Sequence, residues 1–204
     1  MNRPARRLQV EALEDRTTPT FAIDTSFGND GISMLPLGQG TESKTEVGVE
    51  PNGRIVVFTE FLPATSSGVT NPSQSELLGF NPDGSLDTTF GSGGQVLLPA
   101  NANGGDMVVA PSGQIYLATN IGSTATVYRF NADGAPDTSY GTNGVATIDI
   151  GGNSLTLSNI LLQPDGKLVV VGTGGSWTSV YMVARLNTDG SPDTTFNGSG
   201  LFLL

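Results

Sequence analysis

One short phrase occurs four times in this chain, and no other feature constrains the fold as much. The copies are Ile23-Asp-Thr-Ser-Phe-Gly28, Leu86-Asp-Thr-Thr-Phe-Gly91, Pro136-Asp-Thr-Ser-Tyr-Gly141 and Pro192-Asp-Thr-Thr-Phe-Asn197. Their aspartates, Asp24, Asp87, Asp137 and Asp193, stand 63, 50 and 56 residues apart. A second series falls between them: Pro51-Asn-Gly53, Pro111-Ser-Gly113 and Pro164-Asp-Gly166. A third precedes the later aspartates at a constant six residues: Asn81-Pro-Asp-Gly84, Asn131-Ala-Asp-Gly134 and Asn187-Thr-Asp-Gly190. Self-similarity at such a period marks a chain built from stacked supersecondary units.

Each unit reads as about four short strands. In the third, Gly144–Ile150 is taken as a first strand, Asn159–Leu162 as a second, Leu168–Val171 as a third and Tyr181–Leu186 as a fourth. These runs are rich in Val, Ile, Leu and aromatic residues, and turn chemistry separates them. In Pro-Asp-Gly and Asn-x-Asp-Gly, Pro presets φ, Gly accepts positive φ, and the Asx side chain bonds nearby backbone. Leu168–Val171 and Ile160–Leu162 are apolar on both faces, as strands covered on two sides are. Arg129 and Arg185, in the fourth strands, are expected half exposed. A small sheet cannot bury two apolar faces alone, so neighbouring units must stack.

The expected architecture is therefore all-β, a β-propeller-type repeat array: three repeats of about four strands plus the start of a fourth, forming an open arc or a fragment. A β-solenoid or an open array of small sheets is the alternative. The organisation is a basic, disordered N-terminal tail or sorting segment at 1–20, then a repeat domain at 21–204 with repeats near 24–86, 87–136, 137–192 and a partial 193–204. Within the tail, Leu8–Asp15 is the only candidate for a short helix. Length varies in one place, between the turn glycine and the next Asn, and the excess in the first repeat is the Ser/Thr/Pro/Gly-rich stretch Phe61–Glu76, read as a surface loop joining third and fourth strands. Closed propellers typically have four to eight blades. The shortfall leaves three expectations: a fragment of a longer chain, self-association of two copies to close a ring, or first and last half-repeats joining into one extra blade. Leu201–Leu204, which matches Gln95-Val-Leu-Leu98, is read as opening a new repeat.

Composition excludes more than it selects. With 0 Cys and 0 His there is no disulfide, thiol nucleophile, imidazole base or ordinary zinc site. Residues 17–204 carry five basic and sixteen acidic groups, which opposes binding to nucleic acid. No apolar run approaches the ~20 residues of a membrane-spanning helix. The N-terminus begins with Arg3, Arg6 and Arg7 but no apolar stretch follows, so it is not an ordinary secretory signal.

The combination Asn-x-Asp-Gly-x-x-Asp-Thr-Thr/Ser-Phe-Gly with Gln163-Pro-Asp-Gly-Lys-Leu-Val-Val-Val-Gly172 resembles the bacterial delta-type repeats, about sixty residues long. The likeness covers roughly 21–204 and is closest in the third repeat; the first departs at Glu50-Pro-Asn-Gly-Arg54, and the last copy has Asn197 where glycine is usual. It implies propeller-like repeats of unknown function, often in large exported or surface proteins, and supplies no catalytic residue. The segment Arg7-Leu-Gln-Val-Glu-Ala-Leu-Glu-Asp-Arg-Thr-Thr-Pro19 resembles the Leu-Glu-Asp-Arg-Thr-x-Pro opening of predicted planctomycete surface proteins. That resemblance implies an extracellular or cell-envelope location, with the segment as a sorting tail.

Three features could carry chemistry. Asn131, Asp133 and Asp137 have the alternate spacing of calcium-loop ligands. The place of the first ligand, however, is Arg129 here and Gly79 or Arg185 in the other copies, so an Asx turn is the preferred reading. Paired carboxylates for sugar chemistry would have to break the repeat pattern. The acids that do so are Glu42, Glu46, Glu60, Glu76, Asp106 and Asp149. Trp177, the single Trp, sits in the loop Gly172–Ser179 and either stacks on a ligand or folds back over its own blade. Phe27, Phe90, Tyr140 and Phe196 are expected between blades. The sequence therefore points to a non-catalytic structural or interaction module with no cofactor, whose partner is an unknown protein or polysaccharide. The alternative is a lectin-like or carbohydrate-active propeller.

Overall fold

The computed structural model of the chain describes residues 22–35, 40–63, 74–122, 124–149, 155–174 and 180–204. The basic tail, the Leu8–Asp15 helix candidate, most of the Phe61–Glu76 loop and Trp177 lie outside the described residues.

Twelve strands form three antiparallel sheets of four. Blade one holds β1 (Gly40–Val49), β2 (Ile55–Pro63), β3 (Gln74–Phe80) and β4 (Gln95–Leu97) in that order. Blade two holds β5 (Ala102–Val109), β6 (Ile115–Ile121), β7 (Thr124–Phe130) and β8 (Val145–Ile148). Blade three holds β9 (Leu155–Leu162), β10 (Leu168–Gly174), β11 (Val180–Leu186) and β12 (Leu201–Leu203). The Pro-x-Gly turns close the first hairpin of each blade; in blade one Gly53, at φ +88°, donates its N–H to the Glu50 carbonyl. The Asn-x-Asp-Gly and Asp-Thr-x-aromatic phrases together form the corner between the third and fourth strands.

The strand content agrees with the sequence reading, but its phase does not. The stretch Gly144–Ile150, expected as the first strand of the third repeat, holds β8 (Val145–Ile148), which pairs with β7 and is the outer strand of blade two. Leu201–Leu203 likewise pairs with β11 and completes blade three, opening nothing new. Because the last strand is used there, the two half-repeats do not merge into an extra blade. The Phe61–Glu76 stretch accordingly links second and third strands, β2 and β3. The physical reason is the corner: its backbone bonds, such as Asp137 N–H to the Arg129 carbonyl and Arg129 N–H to the Gly144 carbonyl, turn the chain straight back along the strand it has just left.

Blades stack through their faces. Val56, Phe58 and Leu77 of blade one pack with Met107, Ile115, Leu117 and Tyr128 of blade two. Tyr116, Ala118 and Val127 on the other face of blade two pack with Ile160, Leu168, Val170 and Met182 of blade three. Strand alternation sorts residues between the two joints, so that Tyr116 and Leu117, adjacent in sequence, serve different clusters. The strands β1, β5 and β9 neighbour one another along the inner side of the arc. No helix long and apolar enough to cross a membrane occurs among the described residues.

Candidate functional site

The recurring side chains converge where one blade meets the next. In blade two, the Asp137 Oδ1 accepts the Ser139 N–H at 3.0 Å and its hydroxyl at 2.6 Å, which fixes the carboxylate. Its Oδ2 accepts the Arg129 Nε–H at 2.8 Å. The guanidinium then lies 4.6 Å from the Tyr140 ring centre and donates through Nη1 to the Thr188 carbonyl, in the turn of blade three. Next to it, the Gly141 N–H donates to the Asp189 carbonyl at 2.7 Å. Gly190 of that turn lies flat on Tyr140: a β-carbon there would stand 3.0 Å from the ring, and φ is +85°. The Asn-x-Asp-Gly turn is thus a plug, and the corner of the preceding blade is its socket.

Blade one makes the same socket from different residues. Gly79 occupies the place of Arg129 and Arg185, and a β-carbon on it would come within 2.6 Å of Phe90. The cation comes instead from Arg54, after the first turn, which reaches Asp87 Oδ2 at 2.7 Å, lies 5.7 Å from the Phe90 ring and donates to the Ala132 carbonyl. The Gly91 N–H donates to the Asp133 carbonyl at 2.7 Å. Blade three has both cations: Lys167 at 2.9 Å and Arg185 at 2.6 Å share Asp193 Oδ2, with Arg185 5.0 Å from the Phe196 ring.

These contacts settle the electrostatics. The Thr89 hydroxyl and Arg54 hold the Asp87 carboxyl below its ordinary range; Ser139 and Arg129 do so for Asp137, and Thr195, Lys167 and Arg185 for Asp193. Glu50 goes the other way. Its side chain is fully buried, and desolvation raises its pKa despite Arg54 at 3.3 Å.

Arg129 is 8% exposed, which corrects the expectation of a half-exposed side chain: salt-bridging, a ring face and the next turn enclose it. The hydrogen bonds at Asn131, Asp133 and Asp137 are those of a turn and an ion pair. Asn131 pairs its backbone with Ala135, Asp133 Oδ1 accepts the Ala135 N–H at 2.9 Å, and Asp137 is taken by Ser139 and Arg129. No cluster of three or more metal-ligating side chains occurs among the described residues.

Two of the acids outside the repeat, Glu60 and Asp106, are stitches between blades. Glu60 Oε2 accepts the Gly104 N–H at 3.0 Å, from β2 to β5. Asp106 Oδ2 accepts the Ile160 N–H at 2.7 Å, from β5 to β9. Glu46 pairs with Lys44 at 3.4 Å. Glu76 differs: it lines a cavity of about 360 Å³ with Leu35, Phe61, Gln74 and Gln95, and burial raises its pKa.

The arginine sockets were missed in the sequence, although a signal was present. Arg129 to Asp137 and Arg185 to Asp193 are both separated by eight residues. Gly79, eight residues before Asp87, breaks the series, and nothing local announces Arg54 as the substitute.

Stacked four-stranded blades joined by plug and socket define a β-propeller repeat protein. The sequence profile of the beta-propeller family described as a domain of unknown function (DUF5122) matches residues 50–90, 110–140 and 163–196, just over half of the chain, and the protein belongs to that family. Each matched stretch runs from a Pro-x-Gly turn to the aromatic residue of the corner. No curated protein matches the sequence at a significant level.

Proposed function

We propose that the chain is a non-catalytic structural or interaction module of an exported or cell-surface bacterial protein. The observation that carries this is the use of the recurring charges. Asp87, Asp137 and Asp193 each face a cation of their own blade, and the arginines of blades one and two extend onward to a carbonyl of the next blade. Groups tied into buried pairs hold blades in register and are withdrawn from proton transfer. The delta-repeat likeness and the Leu13-Glu-Asp-Arg-Thr17 segment support the exported setting. Variable connections after the second strand, including the one with Trp177, would supply the contact surface.

Glu76 favours a second reading, a carbohydrate-binding or carbohydrate-active propeller, because it is a desolvated carboxyl beside a cavity. A panel of polysaccharides incubated with the full chain separates the two. Depolymerisation that Glu76→Gln abolishes overturns the module reading. Retention without turnover, lost in Trp177→Ala, identifies a lectin-like module. Retention that Trp177→Ala leaves intact removes that loop from the contact surface.

A further inference from the structure

The two joints between blades share one register, and one position in it differs. Tyr128 of β7 pairs with Leu117 and Val145, and Ala184 of β11 pairs with Val170 and Leu201, so the two residues hold the same place in successive blades. Two residues on, Phe130 and Leu186 also correspond, each bridged to the proline of its own corner, Pro136 and Pro192. In blade two this pair is aromatic and fills the first joint. The Tyr128 and Phe130 rings stack with centres 6.0 Å apart and planes 14° apart, inside the core shared with blade one. In blade three a methyl group and an isobutyl group stand where those rings would be.

The second joint does not close over the loss. A cavity of about 310 Å³ lies there, between Ala184, Leu186 and Leu201 of blade three and Thr147, Ile148 and Asp149 at the outer edge of blade two. Both blades that wall it have all four strands. Ile148, Ala184 and Leu186 are buried in the core of this joint, so the apolar walls are held in place by packing. Thr147 and Asp149 are exposed and bring a hydroxyl and a carboxylate to the mouth. Blade one follows the same rule: Leu78, paired with Val57 and Gln95, holds the Tyr128 position and borders the cavity beside Glu76. An aliphatic residue at this position accompanies open space, and the tyrosine fills it.

We propose that the cavity between blades two and three is a binding site for a free single-ring phenol. The chain itself supplies the template, because at the same place in the preceding joint its own hydroxyphenyl group occupies the space. Apolar cavities at the place of a missing ring take up free aromatic molecules, which restore the contacts that the walls forfeit. The ring would lie against Ile148, Ala184, Leu186 and Leu201, and its hydroxyl would meet Thr147 and Asp149 at the mouth. The volume is at the lower end for small-molecule pockets, with room for one ring and little beside it, so the occupant is a free phenol and not a side chain of a bound peptide. The site is separate from Glu76 and from the loop that holds Trp177, so it can fail or hold without either reading of the function.

Titration of the full chain with p-cresol, followed in proton–nitrogen correlation spectra, is the test. Saturable shifts should centre on Thr147, Ile148, Ala184 and Leu201, with a Kd of about 1 mM or lower for so small a ligand. Cyclohexanol, similar in size but not aromatic, should bind about fivefold more weakly. N-acetyltyrosinamide should bind no more tightly than p-cresol. Ala184→Tyr supplies the ring covalently and should abolish the shifts. Ala184→Leu fills less of the space and should weaken binding, which keeps the test decisive if the tyrosine variant does not fold. Shifts that fail to saturate or centre elsewhere, binding undiminished in Ala184→Leu, cyclohexanol binding as tightly as p-cresol, or N-acetyltyrosinamide binding more tightly would each overturn the proposal.

Discussion

The joint between blades one and two and the joint between blades two and three have the same geometry but different residues. In the second, the cation rises from strand β7 as Arg129 and lies close on Tyr140. In the first, Arg54 arrives from the turn after β1, further from its ring, while Gly79 lets Phe90 pack against β3. Both end with a guanidinium that touches a corner aspartate, an aromatic face and a carbonyl of the next turn. What is kept is a planar cation at one point in space, and strand or turn can supply it. Arginine suits the task because its fork can meet a carboxylate, a ring and a carbonyl together.

The comparison can be broken most forcefully at Arg129. Arg129→Ala leaves Asp137 and the Thr188 carbonyl without their cation in an enclosed site and should lower unfolding free energy by about 3–5 kcal/mol in urea titration. Arg185→Ala, where Lys167 still pairs Asp193 and Arg185 meets no carbonyl of another blade among the described residues, should lose clearly less. Equal losses would mean that the onward contact contributes nothing.

A transplant sharpens it next. Arg54→Gln with Gly79→Arg gives blade one the blade-two distribution, but the new side chain collides with Phe90; the double variant should be destabilised by about 1–3 kcal/mol beyond Arg54→Gln alone. The reverse transplant, Lys167→Arg with Arg185→Gly, should stay within about 1 kcal/mol of the parent, mainly the price of a strand glycine.

pH separates the joints by sign. Asp87 and Asp137 have depressed folded-state pKa values, so their stabilisation is present above the ordinary aspartate value of ~3.9 and fades as pH falls through the lower folded values. Glu50, found only at the first joint, is raised, so its folded form holds the proton more tightly. Its contribution is full below the ordinary glutamate value of ~4.3 and is lost as pH rises through the folded value. Glu50→Gln should therefore match or exceed the parent's thermal midpoint at pH 7, and the difference should shrink below about pH 4.

The smallest effect concerns Tyr140. Its hydroxyl is buried with no hydrogen-bond partner among the described residues, and the other corners carry Phe. Tyr140→Phe should be neutral or stabilising by up to about 1 kcal/mol, read from the urea midpoint.

Repeat number, strand content and the inter-blade place of Phe90 and Tyr140 were legible in the sequence because turn residues and apolar runs report local backbone needs directly. The phase of the sheets was not. Gly144–Ile150 and Leu201–Leu204 look alike as strands, and only long-range pairing says whether such a strand opens a blade or closes one. The socket was half legible. The Asp turn could be read from Asp133 and Asp137, whereas the burial of Arg129 depends on Thr188, 59 residues away. Charged residues in strands are ordinarily outward, and here the next blade covers one.

The offset between repeat and sheet has a consequence for how such chains grow. The stretches Asp87–Asp137 and Asp137–Asp193 each contain the outer strand of one blade and the first three of its successor. Tandem duplication of such a stretch inserts a whole blade while every strand keeps a neighbour, and each new seam is crossed by peptide bonds as well as by plug and socket. Arrays of different length can therefore arise by copying alone, with no sheet left short of a strand at the point of insertion.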